Sequence, residues 1–157
     1  MQHAFQISRK IEYGARAMVF LASLPEGMTT SFREIARKMD IPQEFLAKIL
    51  KTLVKAKLVK STRGARGGYS LARPPSQISF LDVIEAVEGP VGVNLCTETD
   101  HAEHNACTFS GACTMNAVWK LGQERMLEVY RTARLDRLAM RSLTYRSPLL
   151  AAAQPRA

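Results

Sequence analysis

The sequence predicts a mostly α-helical fold with one small β-hairpin between its helices and a long helix near its C-terminus. Three observations predict it. Apolar residues recur at spacings of three and four over several separate segments, the mark of helices with one buried face. Serine followed three residues later by an acidic residue opens two of those segments, at Ser31–Glu34 and Ser79–Asp82, in the pattern of a capping box. Residues 58–72 break the helical period, with β-prone residues flanking a glycine-rich turn.

The elements follow in order. Residues 5–23 place Ile7, Ile11, Ala15, Met18 and Ala22 on one face of a first helix, which Pro25 and Gly27 end. A short second helix, Phe32 to Met39, buries Ile35, Ala36 and Met39. Asp40 and Ile41 make a tight turn, and Pro42 suits the first turn of a third helix, where its missing N–H is no loss. That third helix puts Phe45, Leu46, Ile49, Leu50, Leu53 and Val54 on its apolar side. Its other side carries Gln43, Glu44, Ala47, Lys48, Lys51 and Lys55. LVKST (58–62) and YSLA (69–72) are two short strands around RGARGG, which brings Arg63 and Arg66 to the hairpin tip. Phe80, Val83, Ile84 and Val87 give a fourth helix its apolar face, and Gly89-Pro90 stops it. A long helix is expected from about Thr114 to Ser142, striped by Val118, Gly122, Met126, Val129 and Ala133.

Three helices followed by a hairpin is the order of a winged helix-turn-helix, so the fold class expected is a winged helix-turn-helix domain plus a long C-terminal dimerisation helix. Such a protein binds double-stranded DNA. Gln43, Glu44, Ala47 and Lys48 are expected at base edges, Lys51 and Lys55 nearer phosphates. Arg63 and Arg66 are expected in a narrow minor groove, where negative potential is strongest. The plainer alternative is a helical hairpin with a solvated lysine face and an exposed turn kept soluble by its arginines. Charge favours the first reading. Residues 1–74 hold 14 Lys/Arg against 5 Asp/Glu, while residues 75–157 hold 8 against 9, so the whole excess behind the net +8 lies in the first half. A concentrated basic half suits a polyanion.

The chain has 157 residues, of which 46% are apolar, enough for one domain with a packed core. No apolar run approaches the roughly 20 residues that span a bilayer. The opening MQHAFQISRK lacks the order of a signal peptide. A cytoplasmic protein with no membrane partner is expected, with its thiols kept reduced. The layout expected is 1–90 for the winged domain, 91–113 for a loop, 114–142 for the dimerisation helix and 143–157 for a flexible tail. The apolar stripe of the long helix has few neighbours in one subunit, which points to a homodimer.

The loop holds all three cysteines, Cys96, Cys107 and Cys113, spaced C-x10-C-x5-C. Three soft thiolate donors on one loop suit an iron–sulfur cluster, a zinc ion or a thiol switch. Zinc would accept His101 or His104 as a fourth ligand; otherwise both are surface histidines. An odd cysteine count argues against paired structural disulfides. An enzyme is not expected. The chain lacks a C-x-x-C pair, a phosphate-binding glycine loop and a nucleophile motif, which leaves a thiol oxidoreductase as a distant alternative.

EIARKMDIPQEFLAKILKTLVKAKLV (34–59), STRGARGGYSLARPPSQIS (61–79) and LDVIEAVEGP (81–90), followed by three cysteines and a long helix, resemble the Rrf-two family of bacterial transcription regulators. Its iron–sulfur members include the IscR and NsrR types. The resemblance spans most of residues 7–141. It implies a homodimer on a pseudo-palindromic operator, acting as a repressor, with a 2Fe–2S or 4Fe–4S cluster on the cysteine loop setting DNA affinity. Two features depart from the family. Its common spacing is C-x5-C-x5-C, so TETDHAEHNA is an expanded interval. The IscR type carries a histidine ligand where this chain has Asn116. The NsrR type uses an acidic residue in the first helix, which matches Glu12 within Ile11-Glu12-Tyr13. The resemblance therefore implies Cys96, Cys107, Cys113 and Glu12 as ligands, with Glu12 reaching the cluster across the dimer. The alternative for Glu12 is a surface carboxylate pairing with Arg16 one turn on.

Overall fold

A computed structural model of the chain describes residues 7–64, 67–97 and 113–142. Among these residues, six helices and one hairpin follow in the order α1 (Arg9–Ser23), α2 (Phe32–Met39), α3 (Gln43–Lys55), β1 (Val59–Thr62), β2 (Gly68–Leu71), α4 (Phe80–Glu88), α5 (Thr114–Thr132) and α6 (Leu135–Ser142). Short 3-10 turns lie at Pro75–Gln77 and Leu95–Thr97.

α1 is the central element, packed against α2, α3, α4 and α6. That position explains its buried set, Ile11, Tyr13, Gly14, Ala17, Met18 and Leu21, which covers a wider arc than the single stripe expected. Ile7 is exposed instead, while Ala15 and Ala22 are half-buried. Gly14 lets α4 come close, since a Cβ there would meet Val87 Cγ2 at 3.0 Å. The Ser8 side chain caps α1 by accepting from Ile11 N, and donates across to Glu88 at the end of α4. Ile35, Leu46, Ile49, Leu50, Leu53, Ile78 and Val83 complete the core, each fully or almost fully buried.

The two serine signals differ in outcome. Ser79 closes a full box: its Oγ accepts from Asp82 N at 3.0 Å, and Asp82 Oδ2 accepts from Ser79 N at 2.7 Å. Ser31 Oγ accepts from Glu34 N, but the Glu34 carboxylate accepts from Thr30 Oγ1 at 3.1 Å. Thr30 also extends the hairpin. Its N–H donates to Tyr69 O and its carbonyl accepts from Tyr69 N, at 3.0 and 2.8 Å, so β2 is bonded on both edges.

The long helix expected over 114–142 is two helices. α5 ends at Thr132, and Ala133–Arg134 form an extended link. Phe80 N donates to Ala133 O at 2.8 Å and Leu135 N donates to Ile78 O at 3.0 Å, so the link runs alongside the start of α4. α6 then turns back onto α1, with Leu135 fully buried and Ala139 nearly so. The 19 residues of α5 span about 28 Å rather than the roughly 40 Å expected of one helix. A continuous helix would have carried Leu135 away from a core that buries it.

Candidate nucleic-acid interface and cysteine loop

α2 and α3 are joined by Asp40, whose left-handed backbone (φ 51°, ψ 53°) makes the sharp turn, and Ile41 plugs the corner at 3% exposure. Leu46, Ile49, Leu50 and Leu53 fix one side of α3 into the core. The opposite side is therefore set outward, and Gln43, Glu44, Ala47, Lys48, Lys51 and Lys55 are all exposed. Glu44, Lys48, Lys51 and Lys55 fall at helical spacings of three and four along one line. Phe45 departs from its expected core position. It lies on the flank toward α1, is 46% exposed, and its ring tilts against Tyr13 at 6.0 Å. The Arg16 guanidinium lies over the other ring of that pair, Tyr13, at 5.9 Å.

The hairpin follows directly, with Val59 opposite Leu71 and Thr62 opposite Gly68. Its turn needs glycines for closeness. A Cβ at Gly67 would sit 2.3 Å from Thr62 O, and one at Gly68 would sit 2.4 Å from Thr30 O. Arg63 is exposed at the end of β1; Arg66 lies outside the described residues.

The cysteine loop is described only at its two ends. Cys96 lies in the Leu95–Thr97 turn and Cys113 is the N-cap residue of α5; both are half-buried free thiols. Cys107, His101 and His104 fall outside the described residues. The way the first end is held is not legible in the sequence. Gln123 on α5 accepts from Val93 N at 2.9 Å through Oε1 and donates to Thr97 O at 3.0 Å through Nε2. Thr97 Oγ1 bonds back to Asn94. A glutamine on a polar helix edge gives no sequence signal for such a clamp. Asn116 sits in the first turn of α5, its N–H donating to Cys113 O.

Glu12 is on the exposed side of α1 and pairs with Arg16 one turn on, both side chains about half exposed. Among the described residues no three His, Cys, Asp or Glu side chains converge to hold a metal, so Glu12, Cys96 and Cys113 do not form such a group within one chain. The donor chemistry at the loop ends still suits a soft metal group: two unpaired thiols, partly open to solvent, on either side of the segment carrying the third.

α5 buries no residue fully. Its inner edge carries Tyr130, which meets Phe80 of α4 edge-on at 5.6 Å, and the Gln123 clamp. Its outer side shows Met115, Val118, Leu121 and Val129 at 60, 67, 54 and 55% exposure. Among the described residues no helix is long and apolar enough to cross a membrane.

Comparison with known proteins agrees with this architecture. The profile of the Rrf2 family, described as iron-dependent transcriptional regulators, matches residues 7–141. An HTH-type transcriptional regulator of Mycobacterium tuberculosis is 43% identical over 86 residues, covering 55% of this chain and 53% of the relative. The chain thus spans about half the length of the curated M. tuberculosis relatives it matches. Among solved structures, CymR (YrzC), the global cysteine regulator of B. subtilis, superposes with a TM-score of 0.69 at 30% identity, covering 87% of this chain and 97% of that one. T. potens IscR superposes at 0.68 and 27% identity, covering 98% and 94%. These matches are to regulators, and the mostly helical fold with a two-stranded wing is theirs as well.

Proposed function

This chain belongs to the Rrf2 family and is a DNA-binding transcriptional regulator, and on that premise we propose that its affinity for a pseudo-palindromic operator is set by an iron–sulfur cluster. The observation that carries the DNA-reading part is the exposed row on α3 beside the hairpin. Gln43, Glu44, Ala47 and Lys48 read base edges in the major groove, while Lys51 and Lys55 bind phosphates. Arg63 and Arg66 serve the wing in the adjacent minor groove. Two copies joined through the outer side of α5 place two α3 helices on the two half-sites, one turn of DNA apart. The protein works in the cytoplasm, where its DNA is.

Cys96, Cys107 and Cys113 would hold the cluster, either 2Fe–2S or 4Fe–4S, and Glu12 of the partner subunit would supply an oxygen donor. A cluster bound there would supply a redox- and nitric-oxide-sensitive centre, which an oxygen donor would hold less firmly than the thiolates do. The protein's own part is to hold the loop. Gln123 ties the Cys96 turn to α5, and Cys113 begins α5, so both described ends of the loop are fixed to the helix proposed to join the subunits. Arg16 holds the Glu12 carboxylate on the surface of α1 until a partner subunit offers it another role. A change in charge or order at the loop is thereby passed to the spacing of the two α3 helices, and a difference of a few kcal/mol between the DNA affinities of the two states is enough to switch occupancy.

A second reading, a thiol switch without a cluster, is favoured by Cys96 and Cys113 both being free and half-buried. Anaerobic purification with an absorption spectrum and iron and sulfide counts separates the two. A brown protein whose colour is lost in Cys107→Ala, with sharper selection of one duplex in one cluster state, is the result expected. A colourless protein whose DNA affinity changes on oxidation of its thiols refutes the cluster and leaves the switch.

A further inference from the structure

A cavity of about 400 Å³ opens between the C-terminal end of α1, the loop that follows it, and the strands of the hairpin. This lies within the range of small-molecule sites, about 300–1,000 Å³. Its walls divide by chemistry. Leu21 and Leu24 from α1 and its end, with Met28 from the loop, give an apolar side. Lys60 on β1 and Arg73 just after β2 bring two cations to the lining, against one carboxylate, Glu26. Both cations are exposed, and neither has an ion-pair partner among the described residues.

Ser70 adds the third component. It is the register partner of Lys60, so the two side chains leave the same face of the ribbon. It also lines the cavity. Only 6% of Ser70 is exposed, and its Oγ has no hydrogen-bond partner. A buried hydroxyl left without a partner is unfavourable, and native structures rarely keep one without a reason. None of these three polar residues serves the core, the capping boxes or the α3 surface.

We propose that this cavity is a binding site for a small organic acid. Its carboxylate pairs with Lys60 and Arg73 and accepts from Ser70 Oγ. A short branched hydrocarbon body lies against Leu21, Leu24 and Met28. The net positive lining selects an acid over a neutral or cationic molecule, and the apolar wall selects it over a bare inorganic anion. The location gives such an acid a regulatory role, which rests on the DNA-binding reading. It would touch β2, whose other edge is bonded to Thr30 immediately before α2. Occupancy therefore bears on how the hairpin sits against the helix-turn-helix.

The test is a titration of the full-length protein, labelled with nitrogen-15, followed by amide chemical shifts. The probes are isocaproate, its neutral amide isocaproamide, and inorganic phosphate. Isocaproate is expected to give saturable shifts at Met28, Ser70 and Leu71, and the amide and phosphate to bind at least about tenfold more weakly. Arg73→Gln and Lys60→Gln should each weaken isocaproate about tenfold, with the rest of the spectrum unchanged. Ser70→Ala should weaken it too, while leaving the unfolding midpoint equal or higher, because an unpartnered hydroxyl is removed. Absence of saturable shifts at those amides up to about 10 mM isocaproate overturns the proposal. Equal binding of the amide overturns the choice of an acid, and equal binding of phosphate overturns the apolar body. Operator binding is measured separately on the same samples, so loss of acid binding with DNA binding intact refutes this site alone.

Discussion

Replacing Val129 by Glu on α5 tests how two copies come together. Met115, Val118, Leu121 and Val129 are 54–67% exposed in the single chain. Full burial of one such side chain is worth about 1.5–3 kcal/mol, so covering the exposed parts on both chains yields about 7–14 kcal/mol gross. Association itself costs about 4–15 kcal/mol, so this face supports a dimer only if most of it is covered well. Val129→Glu removes one apolar contact per chain and puts an unpaired carboxylate in its place. At about 3 kcal/mol or more per chain, the dimer loses about 6 kcal/mol, over four decades in its dissociation constant. Sedimentation velocity from nanomolar to micromolar protein reads this directly, and circular dichroism checks that the helices persist. The expected result is a folded monomer that has lost its preference for a palindromic duplex. A variant that remains dimeric at nanomolar concentration and binds its operator normally would place the interface elsewhere.

Other expectations follow from the same structure. Lys51→Ala should flatten the dependence of DNA affinity on salt by about one unit of logarithmic slope per lost phosphate contact, with sequence preference unchanged; an unaltered slope removes Lys51 from the backbone contacts. Leu135→Ala should destabilise the protein by about 2–5 kcal/mol in urea unfolding, since the side chain is fully buried. A loss below about 1 kcal/mol would mean that α6 does not complete the core. Glu12→Ala, reconstituted anaerobically, should still assemble a cluster on three thiolates but lose it faster, and Glu12→Cys should make it more resistant to oxidant. Spectra and decay rates matching the parent in both variants would dismiss Glu12 as a ligand and turn attention to His101 and His104.

What the sequence made legible was local. The turn at Asp40–Ile41, the outward face of α3, the hairpin and the box at Ser79 depend on neighbours a few residues apart, and all appear in the structure. Tertiary causes were hidden. The break at Ala133–Arg134 has no glycine or proline to announce it and is made by hydrogen bonds to residues 78 and 80, over fifty positions away. Phe45 counted as apolar by its type and spacing, yet α1 covers only one side of its ring. Tyr13 and Ala17 lie off the single stripe that the spacing marks, and are buried because α1 has neighbours on several sides. At the cysteine loop, spacing identified the donors, but the Gln123 clamp that fixes its first end depends on side-chain direction alone.

The extended link after α5 has a mechanical meaning. A helix attached at one end only is a hinged arm, free to swing without disturbing its base. α5 is fastened at its middle through Gln123 and just past its finish through Ala133 and Leu135. A bar pinned at two points has lost its swing, and what remains is roll about its own axis and shift along it. Rolling α5 turns the Cys96 segment at one pin and the first turn of α4 at the other in the same sense. A disturbance at the thiols then reaches the start of α4 as torque, through the hydrogen bonds of Ala133 and Leu135 to Phe80 and Ile78.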